Sequence, residues 1–213
     1  MQETTMSDDD TRLLAAFEGL PTSAISDCMD RLAGTYRLAP RHGATPMLGY
    51  AHTVRVRAGD NLHIHDALQR VRPGDVLVVD GGGCEERALV GEILMRVAMS
   101  RGAAGFVIDG AVRDVAAFRA AAFPCYARGV THRGPYKHGP GGSATAVVID
   151  GVPVSHGDVV VGDEDGVVFV PRERAGQVAA AARAKLAAEA EILAQIDAGT
   201  YDETWIAAAL MRG

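Results

Sequence analysis

No run of apolar residues in this chain is long enough to cross a membrane, although 48% of its 213 residues are hydrophobic. A spanning helix needs about 20 consecutive apolar residues. Cysteine is sparse: Cys28, Cys84 and Cys125 stand far apart, and no CxxC pair occurs. That spacing excludes the familiar zinc sites and argues against a disulfide framework, so a reducing cytoplasm is expected. Met1 to Thr11 lacks the basic start and apolar centre of a signal peptide. Positive charge is in deficit, with a net charge of −6, which speaks against broad nucleic-acid binding. Asp80-Gly81-Gly82-Gly83 has no Lys-Ser/Thr after it, and GxGxxG spacing is missing there and around Gly139 to Gly142, so a nucleotide cradle is not expected. The glycines read as a tight turn bringing the next helix N-terminus to a small anion, with a purely structural turn as the alternative.

What remains fits an α/β chain of one domain, residues 1–213. N-terminal helices occupy about 1–34, an α/β core about 49–170, and a helical extension about 171–213. Asp8 to Leu20 and Ala24 to Leu32 read as helices. Tyr36 to Gly49 reads as a loop, Ala51 to Arg57 as a half-buried strand, and Asn61 to Val71 as a short helix. Val76 to Asp80 is a continuous apolar strand that Gly81-Gly82-Gly83 is expected to end. Glu86 to Arg101 then predicts a helix burying Leu89, Ile93, Leu94, Val97 and Ala98, with Gly102 as its C-cap. Gly105 to Asp109 predicts the next strand, Val115 to Ala122 a crossover helix, and Pro124 to Arg128 a third strand. This order describes βαβ units with a site at the carboxyl ends of the strands. Ala144 to Ile149, Val159 to Val161 and Val167 to Val170 read as shorter, antiparallel strands. A long Ala-, Glu-, Lys- and Leu-rich helix follows Pro171 and runs to about Ile196, and Glu203 to Met211 predicts a last one.

Three segments invite a ligand reading and favour a plainer one. Cys84 would sit before a helix start, where a thiolate is favoured, but no partner base is apparent and a free loop thiol is the simpler reading. His63 and His65 would share a face on a strand but not on the expected helix, so they read as hydrogen-bonded or pocket-lining residues rather than a metal pair. Asp163-Glu164-Asp165-Gly166 lacks EF-hand spacing and reads as a hairpin turn.

The most informative pattern is Arg113-Asp114, separated from Glu92 by twenty residues. Gly91-Glu92-Ile93-Leu94 brings helical N–H groups that suit an anion. The strand end brings a guanidinium, which grips carboxylates, and a carboxylate, which suits a hard cation such as Mg²⁺. Together they suit an enzyme that holds a 2-oxo acid and stabilises its enolate. The plainer alternative is that Asp114 caps the helix after it.

These residues carry a resemblance to the RraA-like family, and within it to the 4-hydroxy-4-methyl-2-oxoglutarate aldolases. The match takes in Ile25-Ser26-Asp27, Ala58-Gly59-Asp60-Asn61 with His65, and Arg72 through Gly83. It continues through Gly91-Glu92, Ile108 through Asp114, Arg128 through Thr131 with Arg133 through Lys137, Gly157-Asp158, and Gly162 through Val168. The resemblance implies an α/β sandwich like the phosphohistidine swivelling domain, with a long C-terminal helix, assembled as a trimer or hexamer. It implies a cytoplasmic class II pyruvate aldolase that uses Mg²⁺ or Mn²⁺ and decarboxylates oxaloacetate as a side activity. Asp114 would hold the metal directly, with Glu92 and a neighbouring subunit's Glu189 acting through water and Glu191 the next match. Arg113 would contact the C2 oxygen, and the N–H groups of Gly91, Glu92, Ile93 and Leu94 the carboxylate of a small 2-oxo acid. Many members carry Asp where Glu92 stands. The other functions the resemblance leaves open are another metal-dependent lyase or hydrolase acting on 2-oxo acids, and a non-catalytic regulator that binds ribonuclease E.

Overall fold

The structure is a computed structural model and describes residues 6–31 and 33–212. Leu32, where the second helix was expected to end, and Met1 to Thr5 lie outside the described residues. Two short helices come first, α1 (Asp8–Ala15) and α2 (Thr22–Asp27). Ser7 caps α1 by accepting from the Asp10 N–H, and three aspartates fill its first turn, where the helix dipole favours them. The helix stops at Ala15, earlier than expected, and the chain then turns through Gly19, where φ is +72°.

The core elements follow in order: β1 (Ala39–Pro40), β2 (Met47–Val56), α3 (Leu62–Leu68), β3 (Asp75–Val90), α4 (Glu92–Ser100), β4 (Gly105–Val112), α5 (Val115–Ala121) and β5 (Cys125–Val130). Then come β6 (Gly141–Ser143), β7 (Val147–Ile149), β8 (Val152–Val154), β9 (Val159–Asp163) and β10 (Gly166–Val170). A 3₁₀ turn (Arg172–Arg174) leads into α6 (Ala175–Asp197) and α7 (Thr204–Leu210). The main sheet runs β1-β5-β4-β3-β2-β9-β10, with β6 paired to β2, while β7 and β8 form a separate hairpin. Strands β2, β3, β4 and β5 are mutually parallel, as the crossover helices require. Strands β1, β9 and β10 close the sheet antiparallel at its two ends.

Successive strand residues face opposite sides, so each central strand feeds two cores. Leu77, Val79, Phe106, Ile108 and Ala127 pack beneath α3, α4 and α5. Val76, Val78, Val107 and Tyr126 pack against the β7–β8 hairpin residues Val147, Ile149 and Val154. A third cluster joins α1, α2 and the first half of α6 to β9 and β10. The Asp163 segment is the β9–β10 hairpin turn, and its carboxylate accepts from Thr22 and from the Asp165 N–H. No helix among the described residues is long and apolar enough to cross a membrane.

The largest departure from expectation lies between Asp80 and Val90. The three glycines do not end β3; they bulge it. Gly82 and Gly83 take φ of +65° and +69°, and pairing with β4 resumes at Cys84, Ala88 and Val90 with register shifts between them. Cys84 is therefore a strand residue, and the helix begins at Glu92 rather than Glu86. Leu89 is buried as a strand residue, and only its coincidental spacing with Ile93 and Leu94 imitates a helix face. Ile93 itself is 72% exposed.

Candidate active site

Strands β3 and β4 end side by side, with Val90 opposite Val112. The Arg113 N–H donates to the Val90 carbonyl at 3.0 Å, which carries the pairing one residue past β4. At Asp114 the backbone turns left-handed, at φ +57° and ψ +37°. A non-glycine residue there carries about 1 kcal/mol of strain, though Asp tolerates it better than most. Asp114 occupies the N-cap position of α5, yet its side chain makes no capping bond to that helix. Its Oδ2 instead accepts from the Glu92 N–H at 3.0 Å, so it caps the neighbouring helix α4.

Gly91 makes this contact possible. Its φ of −157° is ordinary extended backbone, so the requirement is space rather than conformation. A Cβ there would lie 2.5 Å from Asp114 Oδ2 and 2.8 Å from Arg113 Cγ. Arg113 Nε stands 3.7 Å from Asp114 Oδ2, and both side chains remain reachable by solvent, at 40% and 44% exposure. The first-turn N–H groups of a helix lack intrahelical partners. Asp114 takes that of Glu92, and Ile93 and Leu94 line a cleft together with Arg113. Arg113, Asp114 and the segment Gly91 to Leu94 are thus brought together as the sequence predicted.

Two separate concavities take lining residues from the first turn of α4, and Asp114 lines neither. A narrow cleft of about 70 Å³ is lined by Gly91, Ile93, Leu94, Arg113, Asn61, His65 and Lys137, among others. A broader groove of about 650 Å³ lies between α4 and α5 and is lined by Glu92, Met95, Arg96, Met99 and small α5 residues. The Glu92 carboxylate faces the groove and pairs with Arg96 at 2.6 Å, one helical turn on. Glu189 and Glu191 line neither concavity. Glu189 is held on α6 by Lys185 at 2.9 Å, and Lys185 also pairs with Asp27.

The far wall of the cleft comes from α3 and the loop at 134–139. Asp60 clamps the two together: its carboxylate accepts from the N–H groups of Leu62, His138 and Gly139. Burial would raise its pKa, but those three donors outweigh burial and hold it below the usual carboxylate value. Asn61 Nδ2 donates to the Leu89 carbonyl, which leaves its buried Oδ1 without a partner. His65 Nε2 is likewise buried and unpartnered. Burial, and then the nearby Lys137 cation, depress the imidazole pKa. His63 turns elsewhere and packs on Gly141. Sequence reasoning gave Asn61 and Lys137 no role of their own; Asn61 reaches the Leu89 carbonyl only through the extension of β3, which leaves no local signal.

The donor set suits a hard divalent cation. Asp114 presents one exposed carboxylate whose Oδ2 accepts from the Glu92 N–H, while the Glu92 carboxylate is paired with Arg96. Among the described residues no group of three or more His, Cys, Asp or Glu side chains is arranged around a metal. A cation here would keep most of its shell as water or substrate oxygen, as Mg²⁺ does when one or two carboxylates hold it.

Comparison with known proteins bears on family and fold. The RraA-like family model, described as Aldolase/RraA, matches residues 22–169. A Halalkalibacterium halodurans protein named "Putative 4-hydroxy-4-methyl-2-oxoglutarate aldolase" is 38% identical over 183 residues, covering 85% of this chain and 87% of that protein. Among solved structures, a Pseudomonas syringae pv. tomato protein described as uncharacterized is 28% identical and covers 93% of both chains, with a TM-score of 0.82. The RNA-processing inhibitor RraA of Thermus thermophilus is 32% identical and covers 71% of this chain and 92% of its own, with a TM-score of 0.65. With family match, relatives and fold in agreement, the chain belongs to the RraA-like family.

Proposed function

We propose that the protein is a divalent-metal-dependent carbon–carbon lyase that cleaves 4-hydroxy-4-methyl-2-oxoglutarate, or a related 4-hydroxy-2-oxo acid, to pyruvate. The observation that carries this reading is the Asp114 carboxylate, held by the Glu92 N–H beside Arg113 at the open end of α4. The name of the 38% identical relative supports it.

In this reading the substrate's C1 carboxylate lies on the N–H groups of the first α4 turn, where the helix dipole favours an anion. Arg113 donates to the C2 oxygen, where negative charge develops as the C3–C4 bond breaks. Asp114 would hold Mg²⁺ or Mn²⁺, with Glu92 assisting through water, and the cation when bound would supply Lewis-acid polarisation of the 2-oxo group. Loss of the C4 hydroxyl proton turns C4 into a carbonyl, and the bonding electrons stay on C3 as the pyruvate enolate. Protonation at C3 then gives pyruvate. Glu92, whose carboxylate lines the groove between α4 and α5, is assigned the water that would take the hydroxyl proton. Oxaloacetate losing CO₂ yields the same enolate, so decarboxylation is the expected side activity. The working form is a trimer or hexamer, in which the partner subunit's Glu189, with Glu191 the next choice, approaches from a neighbouring α6.

The test is pyruvate release from 4-hydroxy-4-methyl-2-oxoglutarate and oxaloacetate, coupled to lactate dehydrogenase, with Mg²⁺ and then with EDTA. Release from both that EDTA abolishes is expected. Folded, oligomeric protein that releases none would refute the proposal. A second reading, a regulator of ribonuclease E, is favoured by the likeness to the RNA-processing inhibitor, and a pull-down with ribonuclease E tests it.

A further inference from the structure

The narrow cleft holds more than the pyruvyl end of a substrate needs. Two of its lining side chains carry buried polar atoms without partners, Asn61 Oδ1 and His65 Nε2. Such atoms are costly to leave unmade and mark a place where a ligand or ordered water belongs. Their orientation is fixed. Asn61 is only 4% exposed, and its Nδ2 is committed to the Leu89 carbonyl at 2.9 Å, so Oδ1 must be the end that stays open. His65 follows four residues later on α3, and residues at that spacing share a helix face.

Charge points the same way. The cleft lining contains two cations, Arg113 and Lys137, and no carboxylate. Arg113 has a neighbouring partner in Asp114, whereas Lys137 has no acidic side chain within salt-bridge distance among the described residues. Lys137 is nonetheless held in place at the backbone. Its neighbour Tyr136 bridges to Asp60 and accepts from the Asn61 N–H, and the next two residues donate to the Asp60 carboxylate.

An acceptor, a ring nitrogen able to donate and an ammonium, set across from Arg113, match one kind of chemical group: a carboxylate with a hydroxyl on the adjacent carbon. We infer that Lys137 and His65 Nε2 bind the distal carboxylate of a dianionic 4-hydroxy-2-oxo acid, while Asn61 Oδ1 receives its hydroxyl. An amide oxygen cannot keep the proton, so Asn61 is a positioning residue. This identity of the ligand rests on the lyase reading, but the test needs no turnover.

Isothermal titration in Mg²⁺ buffer compares 2-oxoglutarate with 2-oxopentanoate, which has a methyl group in place of the distal carboxylate. Wild-type protein should prefer the dianion by about tenfold, the share of one charge-assisted hydrogen bond. Lys137→Met should erase that preference and Lys137→Arg should restore most of it; Lys137 is exposed, so neither variant threatens the fold. Citramalate should compete with 2-oxoglutarate more strongly than 2-methylsuccinate, which lacks the hydroxyl. Equal binding of the two oxo acids by wild type, binding of neither, or a preference that survives Lys137→Met would overturn the inference. Pyruvate release is read separately. A lost preference with intact release removes only the subsite, and an intact preference without release removes only the reaction.

Discussion

Replacing Gly91 with alanine separates the chemistry of this site from its stability. The added Cβ would sit 2.5 Å from Asp114 Oδ2 and 3.1 Å from Arg113 Nε. Ordinary carbon contacts begin near about 3.5 Å, so the carboxylate must retreat by roughly 1 Å. That retreat breaks its 3.0 Å bond to the Glu92 N–H and displaces the guanidinium beside it. A misplacement of about 1 Å in a reacting constellation costs on the order of 10²-fold in rate. Overpacking costs about 1–3 kcal/mol of stability, or a fall in Tm of about 5 °C for a chain of this size. Gly82→Ala is the control. Nothing lies within 4 Å of its added Cβ, but its φ of +65° strains any side chain. It should lose about 1 kcal/mol and keep kcat/KM within twofold. Pyruvate release with Mg²⁺, set beside thermal melts of both variants, decides the matter. A Gly91→Ala enzyme with wild-type kcat/KM would refute the placement of Asp114 and Arg113 at the reaction centre.

Four other outcomes follow from the same geometry. Asp114→Asn keeps the shape and tolerates the left-handed backbone, so stability should change by less than about 1 kcal/mol while metal-dependent pyruvate release falls at least about 10²-fold. Arg113→Lys replaces a planar fork with a point charge and should lower kcat/KM by about 10²-fold, with no recovery at higher metal concentration. Asp60→Ala strips acceptors from three backbone N–H groups and should cost about 3 kcal/mol at pH 7 by urea unfolding. Because the folded Asp60 pKa lies below 3.8, its contribution is fully present above that value and is lost as pH falls through the folded pKa. Asp60→Ala should therefore flatten that acid limb, and an unchanged limb would assign it to other carboxylates. EDTA should abolish turnover yet move Tm by less than about 2 °C, since Asp114 and Glu92 contribute nothing to the core clusters.

How much of this was legible from the residues depended on range. The βαβ order from β3 to β5 could be read because continuous apolar strands and crossover helices leave one economical parallel arrangement. The bulge at Gly82 and Gly83 could not, because its cause is tertiary: Ala88, Leu89 and Val90 gain more by pairing with the end of β4 than by starting a helix. The same extension of β3 carries the Leu89 carbonyl to Asn61, so the cleft wall was hidden along with it. Arg113 and Asp114 were visible as a pair. The role of the Asp114 carboxylate was not, since a residue at the N-cap position of α5 ordinarily serves that helix, and only the adjacency of β3 and β4 hands it to α4 instead. Ile93 was misplaced for a related reason: once the helix starts six residues later than the pattern suggests, Ile93 belongs to its open first turn rather than its buried face.

The fold alone does not choose between an enzyme and a regulator, because the family's relatives carry names of both kinds. The proposed lyase reading rests on the local physics at Asp114. Asp114 shares its left-handed backbone with other non-glycine residues such as Ala122 and Asp150; what sets it apart is the glycine it faces, whose missing Cβ admits its carboxylate. The Arg113 guanidinium stands 3.7 Å from that carboxylate while both stay open to solvent. Strain of this kind persists where the surroundings over-determine it, and here the Glu92 N–H and the Val90 carbonyl do so from the neighbouring strand and helix. Opposite charges left adjacent and incompletely paired form a site already organised for a ligand that brings both an anion and a cation. Under the proposed lyase reading, a 2-oxo acid with its divalent metal would be such a ligand.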